Sequence, residues 1–160
     1  MILDKICFFM ALLLVALMAG LFFSFSIAVT RGLKKPDDKS YLQAMQKINK
    51  EILNPVFLFC FIGAPLFLAG TALIRFFEDP VLFIWMLVTA LVYIGGVFVV
   101  TMLCNVPLNN YLEQQDIGKL DAEAAKSVRS RFETSWNRYN HIRTLFSILA
   151  CGMMLCIGIF

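Results

Sequence analysis

The stretch that decides the fold is ICFFMALLLVALMAGLFFSFSIAV, residues 6–29, which contains no charged side chain. A helix needs about 20 consecutive apolar residues to cross the hydrocarbon layer of a bilayer. Three further charge-poor runs follow at residues 55–76, 81–104 and 136–159. Membrane β-strands are only about 10 residues long and alternate in polarity, so these runs exclude a β-barrel. The sequence therefore predicts an all-α integral membrane four-helix bundle, formed by residues 1–160 as a single domain.

The composition agrees with a membrane protein. The chain is 60% hydrophobic and 16% charged, whereas soluble domains are about 45–50% apolar and about 25% charged.

The apolar region of a secretory signal has about 7–15 residues, so the longer first run is expected to stay as a helix. The five cysteines form no CxxC pair and lie in or beside apolar runs. They predict neither a disulfide framework nor a metal site.

The basic residues predict the orientation in the membrane. Lys5 and Arg75 lie on one side, and all other lysines and arginines lie in the loops after helices one and three, with Arg143 at the edge of the second of these loops. We expect a multi-pass protein of the plasma membrane, which in a bacterium is the inner membrane, and the positive-inside rule predicts its orientation. Loops one and three are expected to be cytoplasmic, with both termini on the opposite side. The net charge of +3 follows from this topology. The expected partner is therefore the lipid bilayer, and no nucleic-acid partner is expected.

The loop after helix one contains an amphipathic pattern. Leu42, Met45, Ile48 and Ile52 recur at helical spacing, with lysines and glutamines elsewhere on the helical wheel. This pattern predicts an amphipathic helix against the cytoplasmic face of the membrane. Asn49 falls within the apolar stripe, where a side-chain amide needs a hydrogen-bond partner.

A second amphipathic pattern follows helix three and leads into helix four. It steps by four residues along the face formed by Leu120, Ala124, Val128, Phe132 and Trp136. The same face then turns polar as it enters the membrane, with Asn140, Arg143 and Ser147. A charge inside a membrane helix is costly, so these residues either line a polar site or the arginine reaches back to the interface. His141 lies about 100° away from Asn140 on the helical wheel.

Two further features predict how the helices pack. Pro107 disfavours helical geometry at Val106, which predicts a break in helix three between Asn105 and Asn109. These asparagines either line a cavity at that break or simply end the helix. A row of small residues on helix one predicts close contact with a neighbouring helix: Ala16, Gly20, Ser24 and Ala28.

Three short elements carry a resemblance to a known family. INKEILNPVF at residues 48–57, NVPLNNYL at residues 105–112 and WNRYNHIRTL at residues 136–145 resemble the membrane family that contains the fungal anthrone oxygenases. With the four membrane helices, the resemblance covers nearly the whole chain. It implies a membrane-embedded oxygenase-like protein, which oxidises an anthrone or another lipophilic phenolic substrate to a quinone with molecular oxygen. It also implies a site that uses neither a metal nor another cofactor.

The resemblance also suggests which residues form the site. By residue type, His141 is the candidate base, and Arg143 and Asn140 are candidate donors to an enolate oxygen. Trp136 is expected to stack on the flat rings of the substrate. The phenol groups of the substrate are expected to bond to the amides of Asn49, Asn105 and Asn109.

The residues alone leave other functions open. One is a non-catalytic membrane protein that binds a lipid or a quinone-like molecule, or that acts as an oligomeric scaffold. In such a protein the same amides would join helices through interhelical hydrogen bonds, which contribute about 0.6 kcal/mol each. A transporter of four helices without internal repeats would need a homo-oligomer. A b-type haem would need an axial partner for His141, and nothing in the sequence selects Met45 or Met102.

Overall fold

The computed structural model describes residues 2–159, which form helices and no strand. The helices are α1 (Ile2–Gly32), α2 (Asp38–Glu51), α3 (Pro55–Glu78), α4 (Pro80–Glu113) and α5 (Ala122–Ile157). All except α2 are long and apolar enough to span a membrane. The predicted all-α bundle of four membrane helices is confirmed. We call the end of the bundle that carries α2 and the α4–α5 connection the loop end.

Polar side chains cap the helices where the sequence supplies them. The Asp37 carboxylate accepts a backbone N–H at the start of α2, and Asp121 does the same for α5. Asn54 accepts the N–H of Phe57 at 3.0 Å, and Pro55 occupies the first turn of α3. Asn54 therefore has the capping role that its place before Pro55 predicts.

The membrane helices form a ring in the order α1, α3, α4 and α5, with a continuous apolar core between them. Two glycines allow the closest approaches. A Cβ on Gly63 of α3 would lie 2.9 Å from Leu14 Cδ1 of α1, and one on Gly96 of α4 would overlap the Phe146 ring of α5. These two positions bring α3 against α1 and α4 against α5.

The predicted contact through the small residues of α1 is wrong within this chain. The row formed by Ala16, Gly20, Ser24 and Ala28 is exposed, and a Cβ on Gly20 would meet nothing within 4 Å. The buried face of α1 instead carries larger side chains, such as Leu14, Met18 and Phe22. The reason is that Gly63 of α3 makes the close approach between α1 and α3, which leaves α1 free to carry large side chains in the core.

The predicted break before Pro107 is also absent. Val106 has helical angles of φ −59° and ψ −47°, and the helix continues to Glu113. A π-helical turn at Thr101–Asn105 precedes the proline, and the Val106 N–H bonds to the carbonyl of Thr101, five residues back. This wider turn accommodates a residue that lacks a backbone N–H, so the helix passes through instead of unwinding.

The second amphipathic segment is continuous with the fourth membrane helix in α5. Its apolar face does not lie on the bilayer alone, because α2 packs across it at the loop end. Tyr41, Leu42 and Met45 of α2 are buried in one cluster with Leu112 of α4 and Phe132 of α5. The two amphipathic elements therefore cover the loop end of the bundle together.

An ion pair fixes each end of the bundle. At the loop end, Arg129 of α5 donates to Asp38 of α2 at 3.0 Å and to Glu133 on its own helix at 2.8 Å. At the opposite end, Arg75 of α3 donates to Asp4 of α1 at 2.7 Å. The Asp4 carboxylate is almost fully buried, while the Arg75 side chain is partly exposed, so this pair joins α1 to α3 at the edge of the bundle.

Candidate functional site

A cavity of about 360 Å³ lies among the helices near the loop end. Residues from all five helices line it, and most of its wall is apolar. The aromatic part of the wall consists of Phe22, Phe25, Phe57, Phe61, Phe98 and Trp136. The polar part consists of Asn49, Thr101, Asn109, Asn140 and Arg143. An apolar cavity with a few convergent polar groups is the usual form of a small-molecule site.

Among the described residues, Arg143 is the only charged one in this wall, and it is 6% exposed. Its Nη2 donates to Asn140 Oδ1 at 2.9 Å, and its Nη1 makes a long contact of 3.4 Å with Thr101 Oγ1. The guanidinium carbon lies 4.4 Å from the Phe22 ring centroid and 5.6 Å from that of Trp136. Its Nε is buried without an acceptor among the described residues.

No Asp or Glu among residues 2–159 forms an ion pair with Arg143. A buried charge without a partner costs several kcal/mol, of the order of 3–5 when one member of a pair is removed. The alternative in which the side chain reaches back to the membrane surface is wrong, because the guanidinium is enclosed by α1, α4 and α5. The cavity therefore contains a positive charge whose counter-charge the described chain does not supply.

Trp136 forms one side of the cavity and is held in place at both ends. Its indole N–H donates to Asn109 Oδ1 of α4 at 2.9 Å. Its ring lies 5.6 Å from that of Phe25 on α1, in a tilted arrangement. Asn49 of α2 completes this region, and its side-chain nitrogen is buried without an acceptor in the described chain.

A polar network joins α5 to α1 behind the cavity wall. Asn140 Nδ2 donates to Ser26 Oγ at 2.9 Å and to the Phe22 carbonyl at 3.2 Å. Ser26 Oγ also lies 2.8 Å from Thr144 Oγ1 and 3.1 Å from His141 Nδ1. Because Nδ2 of Asn140 is used on this side, its Oδ1 is oriented toward Arg143.

The structure brings most of the predicted site residues together and leaves two apart. The five that line the cavity are Asn49, Asn109, Trp136, Asn140 and Arg143. His141 is exposed and lines a separate open groove on α5, so Ser26 and Asn140 stand between it and the cavity. Asn105 is 1% exposed and does not line the cavity, and both of its amide atoms lack a partner in the described chain.

Three contributing residues were missed by the sequence reasoning: Phe22, Ser26 and Thr101. A signal for each was present. Phe22 and Ser26 are four residues apart and share one face of α1, and Thr101 lies four residues before Asn105 on α4. Residues four apart on a helix are neighbours, so Thr101 extends the polar face that Asn105 marks.

The fold and the cavity define an integral, multi-pass membrane protein with an aromatic-walled cavity among its helices. A family model described as anthrone oxygenase matches residues 45–153, which is more than half of the chain. The chain belongs to this family, as the short elements in the sequence predict. The matched range contains every cavity-lining residue except those of α1. Comparison with curated proteins and with solved structures gave no match.

Proposed function

We propose that the cavity binds a flat, lipophilic phenolic ketone of the anthrone type and that the protein oxidises it to a quinone with molecular oxygen. The observation that carries this proposal is Arg143, a buried guanidinium in an aromatic-walled cavity that has no carboxylate partner among residues 2–159. Fused flat rings match aromatic walls, and the oxygen of a substrate enolate would supply the absent negative charge. Membership of the anthrone oxygenase family supports the same chemistry.

The proposed reaction needs no electrons other than those of the substrate. Loss of one proton from the methylene group, which is activated by the neighbouring ketone and rings, gives an electron-rich enolate. The enolate reduces oxygen, and one oxygen atom bonds to the former methylene carbon. Loss of the second methylene proton and cleavage of the O–O bond then form the new ketone. The second oxygen atom leaves as water, so one substrate and one O₂ give one quinone and one water.

In this proposal the residues of the cavity wall have separate roles. Arg143 donates to the enolate oxygen, and Asn140 orients the guanidinium through the 2.9 Å bond to Nη2. Trp136 contacts the face of the rings, while Asn49 and Asn109 bond to phenol groups. The contact between Asn105 and a phenol group stays a prediction from the sequence, because Asn105 does not line the cavity.

His141 has the least direct place in the proposal. Its Nδ1 touches Ser26 Oγ at 3.1 Å, and the amide of Asn140 lies between Ser26 and the cavity. An amide does not readily accept and release a proton, so we assign His141 a positioning role through Ser26. Its predicted role as the base remains a second hypothesis, and the pH dependence of turnover separates the two.

The opening of the cavity supports a substrate that arrives from the lipid phase. Leu58 and Ile62 of α3 and Met102 of α4 line the cavity. The same side chains are 40%, 48% and 46% exposed, so the cavity opens on the apolar surface between α3 and α4. A lipophilic ring system dissolved in the bilayer could enter there without crossing water.

We also propose that the loop end faces the cytoplasm. Apart from Lys5 and Arg75, all lysines and arginines lie at the last turn of α1, as Arg31 does, or in segments that begin after α1 or α4. This asymmetry supports the positive-inside orientation predicted from the sequence. Labelling of single cysteines placed at Lys35 and Phe77, in intact cells with a membrane-impermeant reagent, tests it. Labelling at Lys35 would contradict the proposal.

Turnover of a hydroxylated anthrone tests the proposed function. Protein in lipid nanodiscs should form quinone and consume oxygen in a one-to-one ratio, above the rate in empty nanodiscs. Arg143→Met should lower kcat/KM by about 100-fold or more, the effect of losing an oxyanion donor. Arg131→Met, which removes an exposed arginine that stacks on Tyr111, is the matched control and should keep activity. Turnover at the empty-nanodisc rate, or equal turnover by Arg143→Met, would overturn the proposal.

A further inference from the structure

A second concave surface lies on the outer face of α5, separate from the cavity. It is an open groove between α5 and the segment that follows α1. Its lining includes Lys34, Asn137, Arg138, His141, Ile142 and Leu145. We call this surface the α5 groove. Among these residues only His141 is connected to the cavity network, through Ser26.

The α5 groove carries positive charge without matching negative charge. Lys34 and Arg138 are exposed, and neither forms an ion pair with a described carboxylate. The one carboxylate in the lining is Glu133, which accepts from Arg129 Nε at 2.8 Å. His141 uses Nδ1 toward Ser26, so its other ring nitrogen has no partner in the described chain. An anion that binds in the groove would therefore meet two unpaired cations and a ring nitrogen.

The position of the α5 groove on the helix matches the depth of lipid headgroups. Arg143 is the last charged residue of α5, and the exposed surface beyond it is apolar. Leu145, Ile148 and Leu149 are 65%, 47% and 48% exposed on this part of the helix. The groove thus begins among charged residues and ends on the hydrocarbon-facing surface, as the boundary between headgroups and acyl chains does.

We propose that the α5 groove binds the phosphate of one anionic phospholipid, whose acyl chain lies along the exposed leucine and isoleucine side chains of α5. Basic pockets between membrane helices at the cytoplasmic boundary commonly bind anionic headgroups. The Arg138 guanidinium offers two parallel N–H donors to a phosphate, and Lys34 adds a point charge. The proposal does not depend on oxidation in the cavity, because no groove residue lines the cavity.

Native mass spectrometry of the purified protein tests this site directly. The protein is mixed with phosphatidylglycerol or with phosphatidylcholine of the same chains. The wild type should keep one phosphatidylglycerol under conditions that remove phosphatidylcholine. Lys34→Gln combined with Arg138→Gln should lower the affinity by about tenfold or more, because each cation near an anionic lipid contributes a several-fold factor. The matched control is Lys47→Gln with Lys50→Gln, which removes two exposed cations from α2 and should leave binding unchanged.

The outcomes separate a built site from general attraction. Equal losses in the two double variants, or equal retention of both lipids, would overturn the proposal. Displacement of the lipid by inorganic phosphate at similar concentrations would identify a free-anion site and would also overturn it. Lys34 and Arg138 are exposed, so thermal unfolding should match that of the wild type. If the double variant does not fold, the single variants test the same point and should each show part of the loss.

Discussion

The guanidinium carbon of Arg143 lies 4.4 Å from the ring centroid of Phe22, on the helix that packs against α5. The charge is thus met by an aromatic face and by the Asn140 amide at 2.9 Å, with no described carboxylate beside it. Cation–π contact contributes of the order of 2 kcal/mol when it is desolvated, which offsets only part of the cost of burying a charge. An anionic ligand group would supply the rest of the compensation.

Arg143 should therefore have opposite effects on stability and on binding. Replacing it by methionine keeps most of the side-chain volume and removes the uncompensated charge. We expect the melting temperature to stay the same or rise, while affinity for a phenolic quinone falls by roughly tenfold to 100-fold. Thermal unfolding and ligand titration of the same preparation measure both. A fall in both quantities would mean that Arg143 mainly holds the bundle together.

Asn140→Ala should destabilise the bundle, since Asn140 bonds to α1 at two points, Ser26 Oγ and the Phe22 carbonyl. Interhelical side-chain bonds in membranes contribute about 0.6 kcal/mol each, so a loss of about 1 kcal/mol is expected. Ligand affinity should also fall, because Arg143 loses its orienting partner. Asn110→Ala, at an exposed position of α4, is the control. Equal free energies of unfolding for the two variants in mixed micelles would contradict the bridging role.

His141→Ala separates a base from a positioning residue. If His141 positions Ser26 and Asn140, the variant should raise KM several-fold and leave the pH dependence of kcat unchanged. Removal of a general base would instead lower kcat by about 10²–10⁴-fold and abolish the ionisation on the acidic side of the profile. Steady-state kinetics between pH 5 and pH 9 measure both, with Ser26→Ala as the companion variant. Loss of the ionisation on the acidic side of the kcat profile in His141→Ala would contradict the positioning role.

Gly96→Ala should destabilise the contact between α4 and α5, because the added Cβ would overlap the Phe146 ring. Such overpacking typically costs about 1–3 kcal/mol. The neighbouring Gly95 is the matched control, since a Cβ there meets nothing within 4 Å. Gly95→Ala should therefore be neutral or slightly stabilising. Equal melting temperatures for the two variants would show that α4 and α5 do not approach as closely as described.

Features set by local periodicity could be predicted from the sequence. The four spans follow from apolar runs, the Asn54 cap from its place before Pro55, and the buried polar face of α5 from residues three and four apart. The polar face is buried through Trp136, Asn140 and Arg143, as their shared side of the wheel indicates. These predictions hold because each depends on one helix alone. The free-energy cost of exposing an apolar group or burying a polar group is the same in any bundle.

Features set by neighbouring helices could not be predicted. The helix continues through Pro107 because a π-helical turn precedes it, and no pattern in one sequence indicates such a turn. The small residues of α1 point outward because Gly63, on α3, makes the close contact with α1. The place of His141 outside the cavity depends on Ser26, which fills the space between α1 and α5. The last two of these outcomes depend on a residue far away in the sequence.

We propose that Arg143 binds the anionic oxygen of a flat ring system in the aromatic-walled cavity. The chain has two tryptophans, and Trp85 is 55% exposed on α4, about 20 Å along the helix from the cavity at the rise of a regular helix. In a Trp85→Phe background, the remaining fluorescence comes from Trp136, which lies in the cavity wall. Titration with a hydroxylated anthraquinone should quench it saturably, and Arg143→Met should weaken that quenching by roughly tenfold or more. Quenching that does not saturate, or that is the same with Arg143→Met, would contradict the claim.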